Sequence, residues 1–152
     1  MEKLDKELQS RVWQRVQSRD KMEMPTLGQE NLKPLILTAQ ENLTAYQQLG
    51  RQIQGKNGEK IGKLRQETNR AIACMKGICR LRGEPVKNPP LPAEKEPANR
   101  ALMKCYRRER SLWSDWERLA GDPEYGPVYA GLCRQAREHC VTIMELLGSL
   151  DP

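Results

Sequence analysis

Gly62-Lys63-Leu64-Arg65-Gln66 and Gly131-Leu132-Cys133-Arg134-Gln135 share Gly, Arg and Gln at one spacing, with the later copy 69 residues on. Extending this offset sets Ile72 against Val141 and Met75 against Met144. Upstream the offset slips to 70, placing Tyr46 on Trp116, Leu49 on Leu119 and Gly50 on Ala120. A period of this length exceeds a solenoid unit. It suits a helical hairpin plus a connection, and two hairpins packed together make a four-helix bundle. Any site shared by the halves should then lie on the bundle axis.

The apolar spacing supports that reading. Leu35, Ala39, Leu43, Tyr46, Gly50 and Ile53 recur at helical intervals, predicting a helix from Asn31 or Lys33 to Ile53 with Pro34 in its first turn. Gly55-Lys56-Asn57-Gly58 reads as a break. A second helix is expected over Glu59–Leu81, buried through Ile61, Leu64, Ala71, Cys74 and Ile78 and closed by Gly83. Residues 84–98 carry Pro85, Pro89, Pro90, Pro92 and Pro97 and read as an extended crossover. A third helix is expected over Ala98–Ala120, with Leu102, Cys105, Tyr106, Leu112, Trp113, Trp116 and Leu119 on its apolar face. Gly121-Asp122-Pro123 stops it. A fourth is expected over Gly126–Gly148 through Tyr129, Leu132, Ala136, Cys140, Ile143 and Leu147. Residues 1–30 form a leader, with a short helix over 2–18 marked by Leu4, Leu8, Val12 and Val16. The expected class is all-α, with the bundle at 31–148.

Composition narrows the function classes. The 152 residues carry 26 Lys and Arg against 20 Asp and Glu, a net charge of +6. Basic and acidic residues are interleaved. The densest basic group, Arg107, Arg108 and Arg110, is interrupted by Glu109, so no contiguous basic face favours nucleic acid. No apolar run approaches the roughly 18 residues that cross a bilayer. Met1-Glu2-Lys3-Leu4-Asp5-Lys6 lacks an apolar signal core, so a cytoplasmic location is expected. Five cysteines without C-x-x-C spacing read as reduced thiols and not as a zinc site.

The four segments carry further motifs. The fourth helix has Ala136-Arg137-Glu138-His139-Cys140, and the second has Gln66-Glu67-Thr68-Asn69-Arg70-Ala71. Glu109 precedes Trp116 by seven residues, with Leu119-Ala120 following, and Ala39 precedes Tyr46 by seven, with Leu49-Gly50 following. The ordered set resembles the ferritin-like superfamily, particularly small rubrerythrin-related bacterial proteins. In those, a helix of pattern E-x6-Y-x2-L-A precedes a helix containing E-x2-H-A. Val12-Trp13-Gln14-Arg15-Val16 resembles a leader found in some of them.

The resemblance places family ligand positions on Ala39, Glu67, Arg70, Glu109, Ala136 and His139. Only Glu67, Glu109 and His139 can bind metal; Ala39, Arg70 and Ala136 cannot. Two readings follow. In one, Arg70 replaces a lost metal by bridging Glu67 and Glu109, and the chain is a non-catalytic binding or scaffold protein without a cofactor. In the other, Glu67, Glu109 and His139 hold one iron or manganese for redox or oxygen-handling chemistry. The expected partner is a second copy or another protein, with no membrane and no nucleic acid.

Overall fold

The computed structural model describes residues 31–87, 91–92 and 95–150. The helix expected over 2–18 lies outside them. Four helices follow in order: α1 (Lys33–Gln52), α2 (Gly55–Leu81), α3 (Ala98–Leu119) and α4 (Gly126–Ser149). There is no strand among the described residues, and no described helix is long and apolar enough to cross a membrane.

Local chemistry sets the helix ends. Pro34 occupies the first turn of α1, where its missing N–H costs no intrahelical bond. Asn31 Oδ1 accepts the Lys33 N–H at 3.0 Å just before it. α2 begins four residues earlier than the glycines suggest. Only Gly55 takes a left-handed backbone, with φ of +71°; Lys56, Asn57 and Gly58 are already helical. α2 closes at Gly83, with φ of +77°. The Glu84 N–H then returns to the Cys79 carbonyl at 2.8 Å, so the expected glycine cap is present. Between α3 and α4 the buried Asp122 accepts the N–H groups of Glu124 and Tyr125 at 3.1 and 2.6 Å. That turn feeds the chain into Pro127.

The apolar residues gather into one cluster at each end of the bundle. The first unites Leu32, Leu35 and Ala39 of α1 and its approach with Ile72, Met75 and Ile78 of α2, Leu112, Trp116 and Leu119 of α3, and Tyr129 and Leu132 of α4. The second unites Tyr46, Leu49, Ile61, Leu64, Leu102, Cys105, Ile143 and Leu146. The start of α1 therefore shares an end with the finish of α3, so these neighbours run antiparallel. α2 and α3 run parallel, and the chain between Leu81 and Ala98 must travel the bundle's length.

At about 1.5 Å per residue, the 22-residue α3 is roughly 33 Å long. Proline-rich extended chain gains about 3.1 Å per residue, so the crossover covers that distance. It also packs. Val86 sits on the first cluster. Leu91 and Pro92 line a groove with Glu41, Ala45 and Gln48 of α1. Glu96 meets Lys104 at 3.1 Å.

Burial tests the repeat register. In the first and third helices the offset of 70 holds: Leu32, Leu35, Ala39, Tyr46 and Leu49 are buried, as are Leu102, Cys105, Glu109, Trp116 and Leu119. In the second and fourth helices the packing offset is 68, not 69. Ile61, Leu64, Thr68, Ile72, Met75 and Ile78 are buried, and so are Tyr129, Leu132, Ala136, Cys140, Ile143 and Leu146. The offset of 69 instead pairs Met75, 1% exposed, with Met144, 53% exposed. One residue turns a helix by about 100°, so the identities Gly62/Gly131 and Arg65/Arg134 do not share a face. The same rotation leaves Cys74 exposed, contrary to its placement on the buried side of α2, whereas the other four cysteines are buried; all five thiols are free.

Gly126 tolerates no side chain, because a Cβ there would lie 2.6 Å from the Ala120 carbonyl oxygen, while at Gly62 nothing lies within 4 Å. Gly126→Ala is expected to cost roughly 1–3 kcal/mol. Gly62→Ala is expected to be neutral or stabilising by up to about 1 kcal/mol. Urea denaturation of both variants checks the contrast.

Candidate functional site

Between the two apolar clusters lies a polar layer with a residue from every helix: Asn42 and Tyr46 from α1, Glu67 and Thr68 from α2, Glu109 from α3 and His139 from α4. Glu109 is 3% exposed and sits on the inner face of α3. A carboxylate so placed is costly unless donors surround it. Its Oε2 accepts the Tyr46 hydroxyl at 2.8 Å and the Asn42 amide at 3.3 Å. The same oxygen faces His139 Nδ1 at 3.0 Å. The other ring nitrogen, Nε2, faces Glu67 Oε1 at 2.8 Å.

His139 is thus clamped between two carboxylates, and only the imidazolium can donate to both. Burial opposes that charge, but the hydrogen bonds and charges of Glu109 and then Glu67 outweigh it and raise the His139 pKa above its ordinary 6.5. Tyr46 is shifted upward by its complete burial, with the Glu109 charge adding to the effect. It therefore remains a neutral donor. Burial likewise lifts the thiols beside the layer, Cys105 to about 12 and Cys140 to about 11.

The network continues to both sides. Asn42 gives a second contact to the Cys105 carbonyl at 3.2 Å. Its own carbonyl oxygen accepts Arg108 at 3.3 Å, and Arg108 meets Glu41 at 3.4 Å. On the opposite face Glu67, with its side chain 22% exposed, has Lys63 at 3.9 Å.

Glu67, Glu109 and His139 are brought together as their motif suggested. Arg70 is not. It is exposed, because the true register of α2 turns Thr68, Ile72 and Met75 inward and Arg70 outward. The bridge between the carboxylates is His139, and the expectation that Arg70 fills a lost metal's place is corrected. Ala39 and Ala136 are buried beside the layer, at 2% and 4% exposure.

The donor set does not fit a metal as arranged. Glu109 and Glu67 approach opposite nitrogens of one imidazole, so their oxygens diverge instead of meeting at a common point. A ligating histidine offers one nitrogen to the ion and the other to an outer partner; here carboxylates occupy both. No group of three or more His, Cys, Asp or Glu side chains is disposed to hold a metal among the described residues.

Asn42 and Thr68 belong to the layer but carried no motif. Their signal was a polar side chain interrupting an apolar helical stripe, Asn42 between Ala39 and Tyr46 and Thr68 between Leu64 and Ile72. Tyr46 reads from its spacing as packing, yet it is the shortest donor to Glu109. Compared with models of protein families, with curated proteins and with solved structures, the chain matches none.

Because the folded-state pKa of His139 is raised, its stabilisation is complete below the unfolded value of about 6.5 and is lost as pH rises through the folded value. Urea midpoints measured from about pH 6 to 8.5 should fall with rising pH, and His139→Gln should flatten that slope. Tyr46→Phe keeps the ring but removes a donor to a buried charge. A loss of roughly 1.5–3 kcal/mol is expected at neutral pH by the same denaturation assay.

Proposed function

We propose that this chain is a ferritin-like bundle in which a self-satisfied charge layer stands where a metal centre would be, and that it acts by binding or assembly, not by catalysis. The observation that carries this reading is the His139 ring lodged between Glu109 and Glu67 with both nitrogens engaged. The parallel α2 and α3, joined by a crossover along the bundle, support the ferritin-like part of the proposal. A reactive centre needs an open position and room for substrate. The recess beside the layer measures about 20 Å³, too little for an organic substrate. The partner is a second copy or another protein. The apolar pair Val141 and Met144, 54% and 53% exposed one turn apart on α4, is a surface such a contact would cover.

Anaerobic loading with Fe(II) or Mn(II), followed by desalting and metal analysis, tests the reading. Less than about 0.1 metal per chain is expected, since affinity depends on convergent deprotonated ligands. Stoichiometric metal that disappears in His139→Gln would overturn this reading in favour of a metal-holding site.

A further inference from the structure

Beside the charge layer lies a recess of about 20 Å³, where Ala39, Ala71 and Ala136 leave room beside larger apolar side chains of α2, α3 and α4, and where Thr68, Glu109 and Gln135 also face it. Three alanines from three helices leave this space. Thr68 is 4% exposed, and its Oγ1 has no hydrogen-bond partner within the protein. A helical threonine commonly returns its hydroxyl to a carbonyl one turn earlier. Here it does not, and an unpaired buried hydroxyl carries a desolvation penalty.

We propose that this recess is a binding site for one structural water molecule, held between Thr68 Oγ1 and the Glu109 carboxylate. Size decides the guest. One water needs about 10–15 Å³ on this scale, so the recess holds one with little space left over. Chemistry decides it too. An apolar guest would leave the Thr68 hydroxyl unpaired, and a cation would find both His139 nitrogens already engaged. A water donates to Glu109 and exchanges a hydrogen bond with Thr68, and the Gln135 amide stands at the same recess as a further partner. Such a water ties α2 to α3 across the bundle diagonal, which no direct hydrogen bond among the described residues does. This inference stands apart from the functional reading, since a hydrated recess is compatible with either fate of the carboxylates.

The test uses the whole chain. A high-resolution crystal structure should show a density peak within hydrogen-bonding distance of Thr68 Oγ1 and Glu109, retained in Thr68→Ser and absent in Thr68→Val. In urea denaturation, Thr68→Val should lower the folding equilibrium constant about fivefold, the loss of one hydrogen bond. A dry recess gives the opposite sign, because replacing an orphaned hydroxyl by a methyl group stabilises. A missing peak, or a Thr68→Val variant as stable as its parent or more so, would overturn the proposal.

Discussion

The buried Glu109 carboxylate is the constraint around which the bundle is organised. It lies on the inner face of α3, flanked by apolar clusters on both sides. Its donors come from α1 through Tyr46 and Asn42, and from α4 through His139. His139 in turn draws in Glu67 of α2. Apolar packing is tolerant of small shifts, whereas a buried charge is not. If α1 slid on α3 by one turn, about 5.4 Å, the carboxylate would lose its α1 donors. Removing a partner from a buried charge typically costs about 3–5 kcal/mol, so the layer discriminates among registers that the apolar clusters alone would leave close in energy.

The helices and their order were legible in the sequence because apolar spacing, glycine punctuation and a proline-dense crossover all point the same way. The centre was legible only in part. Glu67, Glu109 and His139 stood out because their types and spacing match a known pattern. Arg70 misled because sequence identity between halves need not preserve orientation. The connection from Leu49 to Ile61 is longer than that from Leu119 to Tyr129, and the identities in α2 and α4 follow one offset while the burial follows another. A rotation of about 100° then separates an arginine in solvent from a histidine in the core. α2 starts earlier than its glycines suggest for a separate reason. Glycine is a weak stop when only one of several residues adopts a left-handed backbone, and Gly58 is needed inside the helix because a Cβ there would lie 2.7 Å from the Ile53 carbonyl oxygen.

Asn42 and Thr68 show how little a lone polar residue announces its role. Each occupies a stripe position that apolar neighbours define, and a single polar substitution there is compatible with a helix edge. Only the convergence of four helices reveals that Asn42 joins a surface ion pair to a buried carboxylate. The layer thus runs from Glu41 and Arg108 on one side to Lys63 on the other. Its outer members are partly hydrated and contribute little individually, while the inner members carry the energetic weight.

The crossover has a topological consequence. Two helical hairpins of similar length could dock in either of two senses, the second made by turning one hairpin end over end. That inverted arrangement would place the end of α2 beside the beginning of α3, and the intervening chain would then have to fold back on itself. A segment with so many prolines resists such compaction. The proline content therefore favours the arrangement in which the two helix ends that the segment joins lie far apart.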